Sequence, residues 1–255
     1  MSAREIVMIR HAQSTWNAEG KFTGWADPPL TDLGKAEAEK AGQLLKQHGY
    51  AFDRVYTSRL QRAATTAEIV LKVMGTPNVP VEEDWRLNER HYGDLQGRSK
   101  QELRDRAGDA QVHRWRRGYK DTAPALPDND PRHPKFDERY ADLPQESLPA
   151  VESLEDTRIR AVAFWEEKIV PAIAADERIL ISAHGNTLRA LIMALANMSE
   201  EEVEQFEIPT GTPIVYRLGD DGAPLSWQYL KDEKEQSSVT EQILTSYQSS
   251  PRNRR

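Results

Sequence analysis

Two short runs could do covalent chemistry: Arg10-His11, after the apolar stretch Ile6-Val7-Met8-Ile9, and His184-Gly185-Asn186, after Ile179-Leu180-Ile181. The chain has no cysteine, which excludes thiol nucleophiles, disulfides and cysteine-ligated zinc. A covalent step must therefore use His, Ser, Thr, Lys or a carboxylate. Taken singly, each histidine is more ordinarily structural, because short motifs match by chance. Together they weigh more, since both stand at the carboxyl ends of the two most apolar strands, where open α/β sheets carry their ligands. The second also opens a helix, whose N-terminus favours bound anions. Arg10, Arg62, Arg90, Lys100, Arg116 and Arg117 could converge into one positive pocket, because clefts focus the field of nearby charges.

Positioning these residues requires alternating strands and helices. The four apolar residues from Ile6 predict a strand buried on both faces. Gly24, Pro28 and Pro29 mark a loop, Thr31 a helix N-cap, and the stripe Ala36, Ala41, Leu44, Leu45 a helix ending at Gly49. A strand over 54–57 leads into a helix over 60–74 with Arg62 in its first turn, and a short strand is expected over 79–81. Residues 87–97 read as a polar site loop, followed by helical patterning over 100–106 and 109–117. Six prolines within 122–149 suggest a long ordered lid or insertion. Residues 154–175 predict a helix that Pro171 kinks or shortens, 178–182 a strand, 188–195 a helix, and 214–216 with 227–229 a late strand pair. The expected fold is a single α/β domain over 1–230, a mostly parallel sheet with helices on both faces, carrying an insertion near 120–150. A polar, flexible tail is expected over 231–255.

Net charge −7 disfavours a general nucleic-acid binder but allows an anionic small molecule. There is no apolar run of membrane-spanning length and no signal-peptide pattern in residues 1–5, so no membrane association and a cytoplasmic location are expected.

Seven motifs, in order, carry a resemblance: Arg10-His11-x-x-Ser14-x-x-Asn17, Phe22-Thr23-Gly24-Trp25, Thr57-Ser58-x-Leu60-x-Arg62-Ala63, Leu87-Asn88-Glu89-Arg90-His91-Tyr92-Gly93, Trp115-Arg116-Arg117-Gly118, Ala183-His184-Gly185-Asn186 and Ile208-Pro209-Thr210-Gly211. Over roughly residues 5–230 the chain resembles the cofactor-dependent phosphoglycerate mutases of the histidine phosphatase superfamily. The resemblance implies that His11 is a nucleophile that becomes phosphohistidine, that Arg10, Arg62 and His184 cradle the phosphoryl oxygens, and that Glu89 exchanges a proton with the substrate hydroxyl. Glu89, ordinarily titrating near about 4.3, would need a raised pKa to act as an acid. A solvent-facing salt bridge with Arg90 is its plain alternative, as a surface ion pair is for Arg62. Ser14, Asn17, Thr23, Gly24, Arg90, Tyr92, Lys100, Arg116, Arg117, Gly185 and Asn186 would bind the phosphate and carboxylate of phosphoglycerate. 2,3-Bisphosphoglycerate would be the primer, no metal is implied, and a homodimer or homotetramer is suggested.

Two residues depart from the family pattern, which has Gly and Glu where this chain has Ala12 and Gln13. Ala12 would be strained if that position required positive φ, and Gln13 removes a negative charge near the nucleophile. Ser14 favours the glycolytic mutase over bisphosphoglycerate synthase, which has Gly there. The expected activity is interconversion of 3- and 2-phosphoglycerate. The alternatives are a phosphomonoesterase of the same superfamily and a catalytically silent phosphate-binding interaction module.

Overall fold

The computed structural model describes residues 4–219 and 224–231. Elements follow as β1 (Arg4–Arg10), α1 (Thr15–Ala18), α2 (Asp32–Gln47), β2 (Arg54–Thr57), α3 (Gln61–Met74), β3 (Val81–Glu83), α4 (Lys100–Ala107), α5 (Asp109–Arg117), α6 (Leu154–Phe164), α7 (Val170–Ala174), β4 (Ile179–Ala183), α8 (Gly185–Ala196), α9 (Glu200–Gln205), β5 (Pro213–Leu218) and β6 (Pro224–Tyr229). The six strands form one sheet in the order β3-β2-β4-β1-β5-β6. Strands β1 to β4 are mutually parallel, with Ile6 opposite Ile179 and Arg54 opposite Ile179, whereas β5 runs antiparallel to β1 and to β6.

The apolar strands conceal an alternation that burial on both faces hides from the sequence. Ile6, Met8, Ile179, Ile181 and Ala183 pack with Ala161 and Phe164 of α6 and Leu188, Leu191 and Ile192 of α8. Val7, Ile9, Val55 and Leu180 pack with Ala41, Leu44 and Leu45 of α2 and Ala67, Val70 and Leu71 of α3 on the other face. The sheet is thus covered on both sides, as expected for parallel strands. Because β1, β2 and β4 share one direction, His11, Ser58 and His184 all emerge at the same edge.

Several expected boundaries move. Strand β3 begins at Val81, not Val79, because Val79 closes a turn onto Thr76 and Pro80 contributes only its carbonyl, to the Val55 N–H. Helix α8 starts at Gly185, three residues before the aliphatic stripe, with His184 as its N-cap. The single helix expected over 154–175 is α6, a π-helical turn Trp165–Ile169, and α7. Pro171 lacks an N–H and its ring crowds the carbonyl four residues back, and the wider π turn just before it relieves that conflict. The short helices α1 and α9, invisible to periodicity, are each opened by a serine capping box, Ser14 with Asn17 and Ser199 with Glu202.

The insertion is ordered, with 3-10 turns at Pro134–Phe136, Glu138–Tyr140 and Gln145–Ser147. It packs as a flanking wall: Tyr140 is buried with its ring 4.8 Å from Trp25 and its hydroxyl accepting from Asn88 at 2.8 Å. Arg139 reaches Asp27 at 2.8 Å and Arg59 reaches Asp142 at 2.7 Å. Among the described residues no helix is long and apolar enough to cross a membrane. The tail beyond Lys231 lies outside the described residues.

Candidate active site

His11 is the first residue past β1, and its amide extends the ladder to the Ala183 carbonyl at 2.8 Å. The side chain is buried, with Nδ1 2.7 Å from the Ala12 carbonyl oxygen. A carbonyl only accepts, so Nδ1 carries the proton of the neutral ring and Nε2 keeps its lone pair. Burial first, then the Arg62 and Arg10 cations, hold the His11 pKa well below the usual imidazole value. Arg62 Nε donates toward Nε2 at 3.3 Å.

The two departures from the family pattern become intelligible. Ala12 is not among the described non-glycine residues with positive φ, which are Asp176 and Asn197, so its methyl costs no backbone strain. It packs with Leu30 and Ala38, and its N–H bonds Thr66 Oγ1 at 3.1 Å. Gln13 turns to the start of α2, where Oε1 accepts from the Thr31 hydroxyl at 2.9 Å and the backbone N–H bonds Glu37 at 2.8 Å. Gln13 does not line the cavity.

Arg62 is no surface ion pair. It is 1% exposed, donates to the carbonyls of Ala26 at 2.9 Å and Gly24 at 2.8 Å, and has Asp27 at 3.9 Å. Gly24 is required there: its φ is +57°, and a Cβ would lie 3.0 Å from the Tyr92 amide nitrogen and closer still to Gln96. Burial lowers the Arg62 pKa to about 10, which leaves it cationic at neutral pH. Arg10 donates from one terminal nitrogen to the Ile208 carbonyl at 2.7 Å, while its Nε is buried without a partner. His184 lies with its ring 5.0 Å from that of His11. Its Nε2 is 2.7 Å from Ser58 Oγ and its buried Nδ1 has no partner. Burial first, then Arg62, lowers the His184 pKa well below normal.

Glu89 occupies the N-terminus of α8. One carboxylate oxygen accepts from the Arg90 N–H at 2.9 Å and the Asn186 N–H at 3.1 Å, so the helix end that favours an anion is filled by a carboxylate. Its loop is pinned by Arg160, which donates to the carbonyls of Arg86 at 2.7 Å, Asn88 at 2.8 Å and Glu89 at 3.0 Å. The same guanidinium grips Glu152 at 2.7 and 2.9 Å, and Glu152 accepts the His91 N–H. Trp25 Nε1 also donates to the Glu89 carbonyl, at 2.6 Å.

A cavity of about 190 Å³ brings together Arg10, His11, Asn17, Thr23, Gly24, Arg62, Glu89, Tyr92, Lys100, Arg116, Arg117, Gly185 and Asn186. His184 is fully buried beside it. Two expected contacts stand behind the wall. Ser14 is buried and spent on capping α1. Arg90 is likewise buried, donating to the carbonyls of Gly118 and Trp115 and to the Tyr92 hydroxyl, so it braces α5 against Tyr92 and does not pair with Glu89. Sequence reasoning missed Lys21, Phe22, Arg189, Glu207 and Ile208 as lining residues and Ser58 as the partner of His184. Arg189 had a signal, being the one charge within the apolar run 188–193 of α8. It is 3% exposed and bonds the Asn186 side-chain oxygen at 2.9 Å.

Among the described residues no carboxylate lies within ion-pair distance of Arg10, Lys100 or Arg116, whereas Arg117 pairs with Glu207 and Arg189 donates to the carbonyls of Val203 and Arg117. Such a concentration of unpaired cations suits an anion of more than one charge. Burial, then Arg116 and Arg10, lowers the Lys100 pKa to about 8. Lys100 is charged below that value and neutral above it. For an anionic substrate, kcat/KM should therefore fall above pH 8, and Lys100→Gln should lower kcat/KM and abolish that limb. A limb unchanged in the variant would refute this source for it.

The family model described as histidine phosphatase superfamily (branch 1) matches residues 6–130 and 127–229. Among solved structures, a mycobacterial glucosyl-3-phosphoglycerate phosphatase superposes with TM-score 0.66 at 21% identity, over 89% of this chain and 97% of that one. A putative α-ribazole-5′-P phosphatase from Escherichia coli gives TM-score 0.65 at 24% identity, over 91% and 97%. The α-ribazole phosphatase from Shigella flexneri gives 0.64 at 23%, over 89% and 96%. At these identities the likeness establishes the fold, while the family match spans nearly all the described residues: the chain belongs to the histidine phosphatase superfamily.

Proposed function

We propose that this chain interconverts 3- and 2-phosphoglycerate by phosphoryl transfer through Nε2 of His11. The Nε2 lone pair attacks phosphorus and the ester P–O bond breaks. Glu89 gives a proton to the departing oxygen and takes it back when a hydroxyl attacks the phosphohistidine, so that the N–P bond breaks as the new ester forms. Arg10, Arg62 and His184 hold the phosphoryl oxygens with fixed charge and donors.

The observation that supports the substrate class is a second group of cations lining the same cavity, Lys100 and Arg116, half-buried and without carboxylate partners among the described residues. A phosphate monoester needs only the first group, whereas a glycerate carboxylate or a second phosphate needs the other. The same set would suit the doubly phosphorylated primer, one phosphate meeting the unpartnered Arg10 Nε and His184 Nδ1 and the other these cations. That primer supplies the phosphoryl group that charges His11.

The second reading is a phosphomonoesterase, in which water replaces the attacking hydroxyl. The three solved structures compared above carry phosphatase names, and that comparison favours hydrolysis over the mutase. Phosphorus NMR of 3-phosphoglycerate turned over with a catalytic amount of 2,3-bisphosphoglycerate separates the two. The mutase yields 2-phosphoglycerate at equilibrium with little inorganic phosphate. Stoichiometric phosphate release would replace it with the phosphatase.

A further inference from the structure

We infer that Ser58 is a positioning residue that fixes the tautomer of His184, so that His184 offers Nδ1–H to the phosphoryl oxygens; the inference deepens the phosphoryl-transfer reading above and rests on it. Ser58 is fully buried, one residue past β2. Its Oγ accepts the Leu60 N–H at 3.2 Å, which fixes the hydroxyl within its own turn, and lies 2.7 Å from His184 Nε2.

A hydroxyl has a single proton to give. Among the described residues, the only acceptor paired with Ser58 Oγ is His184 Nε2, so the proton points there and Nε2 must supply its lone pair. The ring is held neutral by its burial and by the Arg62 cation, and therefore carries one N–H. With Nε2 accepting, that hydrogen sits on Nδ1. Nδ1 is the buried atom left without a protein partner, on a ring 5.0 Å from the His11 ring.

The opposite tautomer fails at both ends. It would set Nε2–H against a hydroxyl whose own proton then has no acceptor, and it would present a lone pair at Nδ1 to anionic phosphoryl oxygens, a repulsive contact in a site of low dielectric. Ser58 thus acts through His184, touching no substrate itself. Which ring nitrogen of a histidine carries the proton is set by the hydrogen bond that the other one makes.

The test is nitrogen NMR on the full chain labelled with ¹⁵N-histidine, with the His184 signals assigned by their loss in His184→Gln. The wild-type ring should show a protonated Nδ1 and an unprotonated Nε2. Ser58→Ala should convert it to a mixture or to the Nε2–H form, and kcat should fall by about 10²-fold, the size seen when one transition-state donor is lost, with KM little changed. Ser58→Thr, which keeps the hydroxyl, should restore the tautomer and most of kcat. A wild-type ring protonated at Nε2, or a Ser58→Ala variant with unchanged spectrum and kcat, would overturn the inference. The spectra need no substrate, so a wild-type chain with Nδ1–H but no phosphoryl transfer in any assay would count against the proposed function while leaving the tautomer standing.

Discussion

His11→Ala should lower kcat by on the order of 10⁶-fold, the loss found when a covalent nucleophile is removed. His11 lines the cavity with Nδ1 tied to the Ala12 carbonyl, so Nε2, whose lone pair meets only the long 3.3 Å contact from Arg62 Nε, is the nitrogen placed to attack. The residual rate should reflect only binding and the remaining cations, because Arg10, Arg62 and His184 stay in place. Removing the ring leaves the Ala12 carbonyl without its donor, a buried loss of about 1–3 kcal/mol. His11→Asn keeps a donor near that carbonyl, and it should be equally inactive while folding more stably. Steady-state kinetics with circular dichroism checks both statements; retained turnover in either variant would refute the assignment.

The largest stability effect should come from Arg160→Met. Arg160 and Glu152 are 7% and 5% exposed, paired through two hydrogen bonds, and Arg160 also holds three carbonyls of the loop that carries Glu89. Breaking a buried pair by removing one partner leaves an uncompensated charge and costs about 3–5 kcal/mol. Lysine should not rescue it, since a single ammonium cannot reproduce a planar fork serving two carboxylate oxygens and three carbonyls. Glu152→Gln added to Arg160→Met should recover part of the loss by removing the stranded charge. Urea denaturation reads these differences directly. A loss below about 1 kcal/mol, the range of exposed pairs, would show that the pair does not hold the loop.

The site was legible wherever chemistry sat next to a strand end. Arg10-His11 and His184-Gly185 declare themselves because β1 and β4 are so apolar that the polarity jump marks their carboxyl ends. Arg62 was legible as one of the converging cations and through its motif, but nothing in a helical first turn says that the loop carbonyls of Gly24 and Ala26 will close over it. Ser14 and Arg90 show the reverse failure. A polar residue beside the chemistry was expected to touch ligand, and each is instead consumed by the backbone, Ser14 by a capping box and Arg90 by carbonyls that leave α5 and its turn.

Boundaries were lost for local reasons. Periodicity counts aliphatic side chains, so it does not reveal the polar first turn of α8, and helices of four and six residues are too short to show a stripe. Pro171 announces a disturbance in the sequence, but the relief it receives from a π turn depends on the packing of Trp165 and Ile169 in the core, which no single sequence displays. The insertion was visible by its prolines. Its role as a wall bracing Trp25, Asp27 and Asn88 rests on Arg139 and Tyr140, whose partners lie more than fifty residues away in the chain.

Gln13 bears on how far the site tolerates change. Its side chain is committed to Thr31 at the start of α2, and so the missing negative charge does not face the His11 nitrogen. Ala12 is equally benign, a buried methyl in ordinary backbone. Neither residue supports a silent module, and the cavity brings the His11 imidazole, fixed cations and the Glu89 carboxylate together.

The most direct measurement is rapid-quench labelling with ³²P-2,3-bisphosphoglycerate followed by peptide mapping. The account predicts acid-labile, base-stable label on Nε2 of His11, approaching one phosphate per chain before the first turnover and absent from His11→Asn. Turnover without such label, or label on any other residue, would contradict it.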